Sequence, residues 1–192
     1  MTDVVIVGFG GHALSIVDSM MRTGQFNIIG YTDRKQTLYE VQFPYLGTDD
    51  VLEKFYKDAC VKCAILGIGY MGKGTIRKDI FEKLKAIGYE FPVIIDPSAI
   101  VADDAILEEG CFIGKNAVVN AHAQVGKMCI INTGAIVEHE CQVGDFSHVA
   151  VGATLCGQVR VGKECLIGAN ATVIQCRKIP DKEIVPAGAV IR

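Results

Sequence analysis

From Val101 to Ile191 every sixth residue is Val, Ile or Leu, a column of sixteen that opens Val101, Leu107, Ile113, Val119, Val125, Ile131 and never breaks. Four positions further on, most hexapeptides carry a small residue, as at Ala105, Cys111, Ala117, Ala123, Cys129 and Ala135. A period of six fits neither an α-helix nor one long strand. It fits a stack of short strands, each turning one aliphatic side chain inward, with three hexapeptides closing a triangular coil of eighteen residues. One such coil cannot bury its apolar residues alone, so the stack is stable only collectively. Gly114, Gly126, Gly144, Gly162 and Gly168 directly follow the aliphatic position, where a corner between strands favours an unbranched backbone. The pattern predicts a parallel β-helix of about five coils.

The first ninety-five residues follow other periods. Val4–Val7 reads as a buried parallel strand, leading through Gly8-Phe9-Gly10-Gly11-His12 into a helix that runs to about Met21. Asn27–Tyr31 is a second strand, and Thr48 is placed to cap a helix over Asp49–Lys57. Val61–Leu66 is a third strand, Thr75–Ile87 a third helix and Phe91–Ile95 a fourth strand. Strands alternating with helices imply a small Rossmann-like parallel α/β sheet. Asp96-Pro97 marks the expected boundary, dividing the chain into 1–96 and 97–192.

Composition narrows the classes. Half of the 192 residues are apolar and the formal net charge is −3, which argues against a nucleic-acid binder working through a basic surface. The opening MTDVVIVGFGGH lacks a basic leader and reads as a strand rather than a signal peptide. No run approaches the roughly 18 apolar residues needed to cross a membrane. Of the eight cysteines, Cys111, Cys129, Cys141 and Cys165 stand in the small inward column and read as core filler. Reduced thiols in a cytoplasm are the expectation.

Two stretches carry candidate chemistry. Gly8-x-Gly10-x-x-Ala13, with Asp33 about twenty residues on, fits a relaxed dinucleotide fingerprint in which glycines let the backbone approach phosphate. The same glycines could simply make a tight strand-to-helix turn. With only four strands before the repeats, a nucleotide-containing ligand is favoured over NAD. In the repeats, Glu138-His139-Glu140 and His148 form the densest polar cluster. Histidine is the natural general base near neutrality, and an adjacent carboxylate can fix its tautomer. Adding eighteen to 139 reaches Gly157, whose backbone should stack roughly 5 Å away and whose amide could serve an oxyanion. The same arithmetic places Glu140 between His122 and Gln158. Solvated corner residues would be the bland alternative.

The stretches Ile136-Val137-Glu138-His139-Glu140-Cys141 and Val143-Gly144-Asp145-Phe146-Ser147-His148-Val149, with the Gly10-Gly11-His12 turn, resemble the bacterial nucleotide-sugar N-acetyltransferases of the PglD type. The NeuD-type sialic-acid acetyltransferases are near relatives. The resemblance spans both domains and implies a left-handed β-helix, against the usual crossover rule. It implies that His139 is the general base, that Glu140 orients it, that His148 contacts the acetyl or thioester region and that the Gly157 amide holds the oxyanion. Gly10, Gly11, His12, Asp33, Gly67 and Gly69 would hold the nucleotide-sugar, with Asn132 near the sugar. A homotrimer is implied, with acetyl-CoA in the groove between adjacent prisms and neither a metal nor a covalent acyl-enzyme. The chain departs from family members in ending Val190-Ile191-Arg192 rather than in a Gly-Val-Pro-Ala-like tail, and in carrying Asp96 where a histidine is common. Contacts to the adenine end of CoA are accordingly expected to be weaker or made otherwise. O-acetylation, a serine acetyltransferase, a non-catalytic nucleotide-sugar-binding trimer and an NAD-dependent oxidoreductase are the competing readings.

Overall fold

Val4, Val5, Ile6 and Val7 are completely buried, as an unbroken apolar run must be in a strand covered on both faces. The computed structural model describes residues 1–192 as two units, Met1–Gly69 with Gly74–Pro92, and Tyr70–Lys73 with Val93–Arg192. In the first unit β1 (Thr2–Val7) leads into α1 (Gly11–Thr23), followed by β2 (Phe26–Thr32), β3 (Tyr45–Gly47), α2 (Leu52–Asp58), β4 (Cys63–Leu66) and α3 (Ile76–Ile87). The strands form one parallel sheet in the order β3-β2-β1-β4. Helix α1 buries Ala13, Ile16, Val17 and Met20, the spacing of one helical face. It stops at Gly24, whose φ of 64° provides the left-handed cap.

Two local expectations change. Thr48 does not cap a helix through its side chain; its hydroxyl donates to Asp50 Oδ2 at 3.1 Å, and a 3-10 turn over Asp49–Val51 precedes α2. The fourth strand of this sheet is β3, not Phe91–Ile95. Ile94–Ile95 pairs instead with Phe112–Ile113 in the second unit, because Ile95 stands six residues before Val101 and is itself a member of the aliphatic column.

The second unit is a left-handed β-helix of two-residue strands, β5 (Ile94–Ile95) through β21 (Val190–Ile191), arranged as three parallel faces. Residues eighteen apart are paired, as Ile130 with His148 and Gln142 with Arg160. The aliphatic and small columns together make one continuous buried core. Its thiols are also donors. Cys111 Sγ lies 3.0 Å from Gly126 O, Cys129 Sγ 3.1 Å from Gly144 O and Cys165 Sγ 3.0 Å from Pro180 O, and Ser147 repeats the contact with Gly162 O at 2.8 Å. Each inward polar group thus satisfies a carbonyl at a corner fifteen residues ahead.

Corners are built by a left-handed residue at every sixth position from Gly110 to Gly188. Most of these are not glycine: Asn116, His122, Glu140, Gln158 and Cys176 have φ between 53° and 62°. The glycines that follow the aliphatic column serve a different end. A Cβ on Gly144 would lie 2.6 Å from the Gly162 carbonyl carbon, so their role is close stacking of coils rather than turning.

The three faces differ outside. On the first, Phe112, Ile130 and His148 are buried, and the Tyr70–Lys73 segment lies against it, Tyr70 Oη donating to Glu164 O at 2.7 Å. The second carries Ile100, Val118, Ile136, Thr154, Thr172 and Val190, half-buried or exposed. The third carries Gln124, Gln142, Arg160 and Lys178, all exposed. No helix is long and apolar enough to cross a membrane.

Candidate active site

His139 and Glu140 occupy the corner between the second and third faces, on the turn that joins Ile136–Val137 to Gln142–Val143. Glu138 shapes that turn: its Oε2 accepts the His139 amide and the Asn120 side-chain amide, each at 3.1 Å. Glu140 Oε1 stands 3.6 Å from His139 Nδ1, longer than a direct hydrogen bond and short enough for electrostatic attraction. Catalytic contacts often tighten only when substrate binds. Glu140 Oε2 accepts the Gln158 Nε2 amide at 2.9 Å. The Gln158 hydrogen bond, with His139 next to it, holds the Glu140 carboxyl below its ordinary value.

Gly157 lies beside the imidazole, one coil on. A Cβ there would sit 2.5 Å from His139 Nε2 and 2.6 Å from Cε1, so only glycine leaves the ring its place. Along this edge the equivalent amides are spoken for: Ala121 N–H donates to Asn120 Oδ1 and His139 N–H to Glu138. Before Gly157 stands Cys156, whose side chain offers no such acceptor, and the Gly157 N–H carries no intramolecular hydrogen bond. A free backbone donor and an imidazole nitrogen therefore share one side of the corner.

Asn132 and His148 form a separate pair at the opposite edge of the second face, where the first face turns into it. His148 Nδ1 is 2.7 Å from Tyr70 O, an acceptor, so Nδ1 carries the proton. Asn132 Oδ1 accepts the Thr133 amide at 2.8 Å, which turns Asn132 Nδ2 toward His148 Nε2 at 3.1 Å. Both ring nitrogens are thus held within the unit. One chain does not bring this pair together with His139. Tyr70 was outside the sequence-based site; its carbonyl arrives from a loop 78 residues earlier and no repeat arithmetic finds it. Gln158 lies within that arithmetic.

In the first unit, Gly10, Gly11, His12, Gly67 and Gly69 converge. Gly10 is the N-cap of α1 and makes no side-chain cap. The positions a Cβ would take on Gly10 and Gly11 face open space, whereas one on Gly67 would lie 2.1 Å from Gly8 O and one on Gly69 3.5 Å from His12 Cβ. Asp33 braces this turn, its Oδ2 accepting the Phe9 amide at 2.7 Å and its Oδ1 the Arg34 amide at 2.6 Å. Beside it opens a pocket of about 290 Å³ lined by Phe9, Asp33, Lys35, Thr37, Leu38 and Tyr39. No group of three or more His, Cys, Asp or Glu side chains is placed to hold a metal ion.

These elements define a class: a hexapeptide-repeat β-helix carrying a histidine–carboxylate corner, joined to a small glycine-loop α/β unit. A family model described as the PglD N-terminal domain matches residues 3–84, and one described as the hexapeptide repeat of succinyl-transferase matches residues 105–139 and 158–191. The acetyltransferase domain of PglB from Neisseria gonorrhoeae is 30% identical over 100% of this chain and 92% of its own, with a TM-score of 0.90. The same domain in complex with acetyl coenzyme A gives 28% identity over 98% and 92%, with a TM-score of 0.88. A histidine-to-asparagine mutant of perosamine N-acetyltransferase from Caulobacter crescentus, in complex with CoA and GDP-perosamine, gives 26% identity over 100% and 89%, with a TM-score of 0.74. No curated protein sequence matches significantly. The chain belongs to the PglD-type hexapeptide-repeat acetyltransferases.

Proposed function

We propose that this protein transfers the acetyl group of acetyl-CoA to the amine of a nucleotide-linked aminodeoxysugar, with His139 as general base. The observation that carries this is the pairing of His139 Nε2 with the unengaged Gly157 amide on one side of a corner. The neutral amine attacks the thioester carbonyl, and the oxyanion that forms accepts the Gly157 N–H. His139 Nε2 takes the proton from the attacking nitrogen while Glu140 steadies the imidazolium from Nδ1. Collapse of the intermediate breaks the carbon–sulfur bond and releases CoA, whose thiolate takes up that proton.

The glycine turn at Gly10–His12, with Gly67 and Gly69, supplies backbone surface and helix-start amides suited to a diphosphate, and the adjoining pocket has the lining for a base and ribose. The acetyl coenzyme A and GDP-perosamine of the two relatives support both halves of this reading. Because Asn132 and His148 lie across the second face from His139, the complete site is formed between copies. In a threefold ring, one edge of that face in each copy meets the opposite edge in the next. His148 then lines the thioester side of a groove holding acetyl-CoA, with Asn132 beside it near the sugar.

His139→Ala is expected to lower turnover by about two to four orders of magnitude while the assembly stays folded. Assay against UDP-, GDP- and TDP-linked 4-amino sugars with acetyl-CoA, following CoA release and an alkali-stable amide product, tests this. Near-wild-type turnover of the mutant with its best acceptor would overturn the assignment.

A further inference from the structure

Residues 140, 158 and 176 occupy one position in three successive coils. Glu140, Gln158 and Cys176 all adopt left-handed backbone, with φ of 59°, 62° and 61°, so their side chains leave the corner in parallel from backbones about 5 Å apart. They are joined end to end. Cys176 Sγ lies 3.2 Å from Gln158 Oε1, and Gln158 Nε2 donates to Glu140 Oε2 at 2.9 Å. The chemistry fixes the polarity of the chain. A carboxylate can only accept, so the Gln158 nitrogen must face Glu140, and its oxygen is then left to receive the thiol proton. On the other side of Glu140, His122 is engaged with Asp104, Nδ1 to Oδ2 at 2.9 Å. The groups facing the Glu140 carboxylate are thus His139 on its own corner, His122 from the coil before and Gln158 from the coil after.

Glu140 is exposed, and an exposed glutamate without a fixed partner samples many rotamers. Its use to His139 depends on a single orientation, with Oε1 toward Nδ1. That orientation draws the proton toward Nδ1 by electrostatic attraction across 3.6 Å and favours an Nε2 lone pair on the Gly157 side. We infer that Gln158 is a positioning residue, whose amide, itself turned by Cys176, holds Glu140 against His139. Gly157-Gln158 then serves His139-Glu140 dipeptide to dipeptide: the glycine amide faces the acyl oxygen and the glutamine side chain sets the carboxylate behind the base. This inference rests on His139 being the base.

Gln158→Met keeps length and an unbranched Cβ and removes the donor. It is expected to lower kcat about three- to tenfold, the loss of one net hydrogen bond, with KM for acetyl-CoA and for the best acceptor changed less than about twofold. Long-range ¹H–¹⁵N spectra of the full-length protein are expected to show His139 protonated at Nδ1 in the wild type and as mixed tautomers in the variant. Cys176→Ala is expected to move both readouts the same way by less, and Cys176→Ser, which keeps a donor, to restore them; this pair decides the matter if Gln158→Met does not fold. Unchanged kcat and tautomer in the folded variants, beside an inactive His139→Ala, would overturn the role of Gln158 and leave the base in place. Activity surviving in His139→Ala would remove the base and this inference with it.

Discussion

A side chain at residue 157 would occupy the volume of the His139 ring. Gly157→Ala has an acceptable backbone conformation, so its cost should fall on the imidazole and not on the fold. A displacement of about 1 Å at a reacting group can cost on the order of a hundredfold, and that is the expected fall in kcat, with the thermal melt nearly unchanged. Rates of CoA release beside a circular-dichroism melt measure both, and a fully active Gly157→Ala protein would show that the ring's place is not used. At this scale the repeat made much legible. Counting eighteen from His139 reaches Gly157, and counting from Glu140 reaches Gln158. The tautomer of His148 was not legible, because Tyr70 lies outside the repeat and acts through a carbonyl that every residue possesses.

Elements show the same division. The column from Val101 announced every strand of the prism, and extending it by one period finds Ile95 as well, although its neighbours Phe91 and Val93 invite a longer strand. Tyr45–Gly47 had no such signal, since three residues carry no period. The cysteine column was readable as core filler, but its hydrogen bonding appears only in three dimensions. Burial pushes the Cys141 thiol up to about 11 and Cys129 well above its ordinary value, so these groups remain protonated donors. Ser147 already stands in the same column as Cys165 and makes the equivalent bond. Cys165→Ser should therefore change stability by less than about 1 kcal/mol. Cys165→Val removes the donor and crowds the corner, and should cost about 1–3 kcal/mol. Denaturant unfolding at fixed protein concentration compares them; equal stability of the two would mean that the thiol bond contributes nothing.

For the whole molecule, the uneven dressing of the three faces matters most. The second face carries one outward row, Ile100, Val118, Ile136, Thr154, Thr172 and Val190, with Ile100 and Val190 exposed and the others half-buried, an apolar strip of the kind that marks an interface. The proposed threefold ring buries it. Ile136→Glu is expected to yield monomers in light scattering behind size exclusion, and to lose acetyl transfer although His139 and Gly157 remain adjacent within each chain. A trimeric Ile136→Glu protein would place the contact on another face, and an active monomer would show that Asn132 and His148 of a second copy are not required. The amino-acid pattern announces the prism, and counting by sixes also sets Asn132 one face before Glu138. What it could not announce is the Tyr70 segment that covers the first face beside His148.

The three-sided coil also sets how such a chain can change length and survive. Gain or loss of one hexapeptide keeps every aliphatic residue inside, so the protein would still fold. It would also rotate everything downstream by one face. An insertion of six between His139 and Gly157 would carry the glycine, and Gln158 with it, to a different edge of the prism. Eighteen inserted there would restore the edge but leave a whole coil between the two, so only a change outside residues 139–157 preserves both the core and the partnership. Lineages of this fold can therefore lengthen by whole coils outside that span, whereas a single-repeat slip across the active corner leaves a well-folded descendant with its chemistry taken apart.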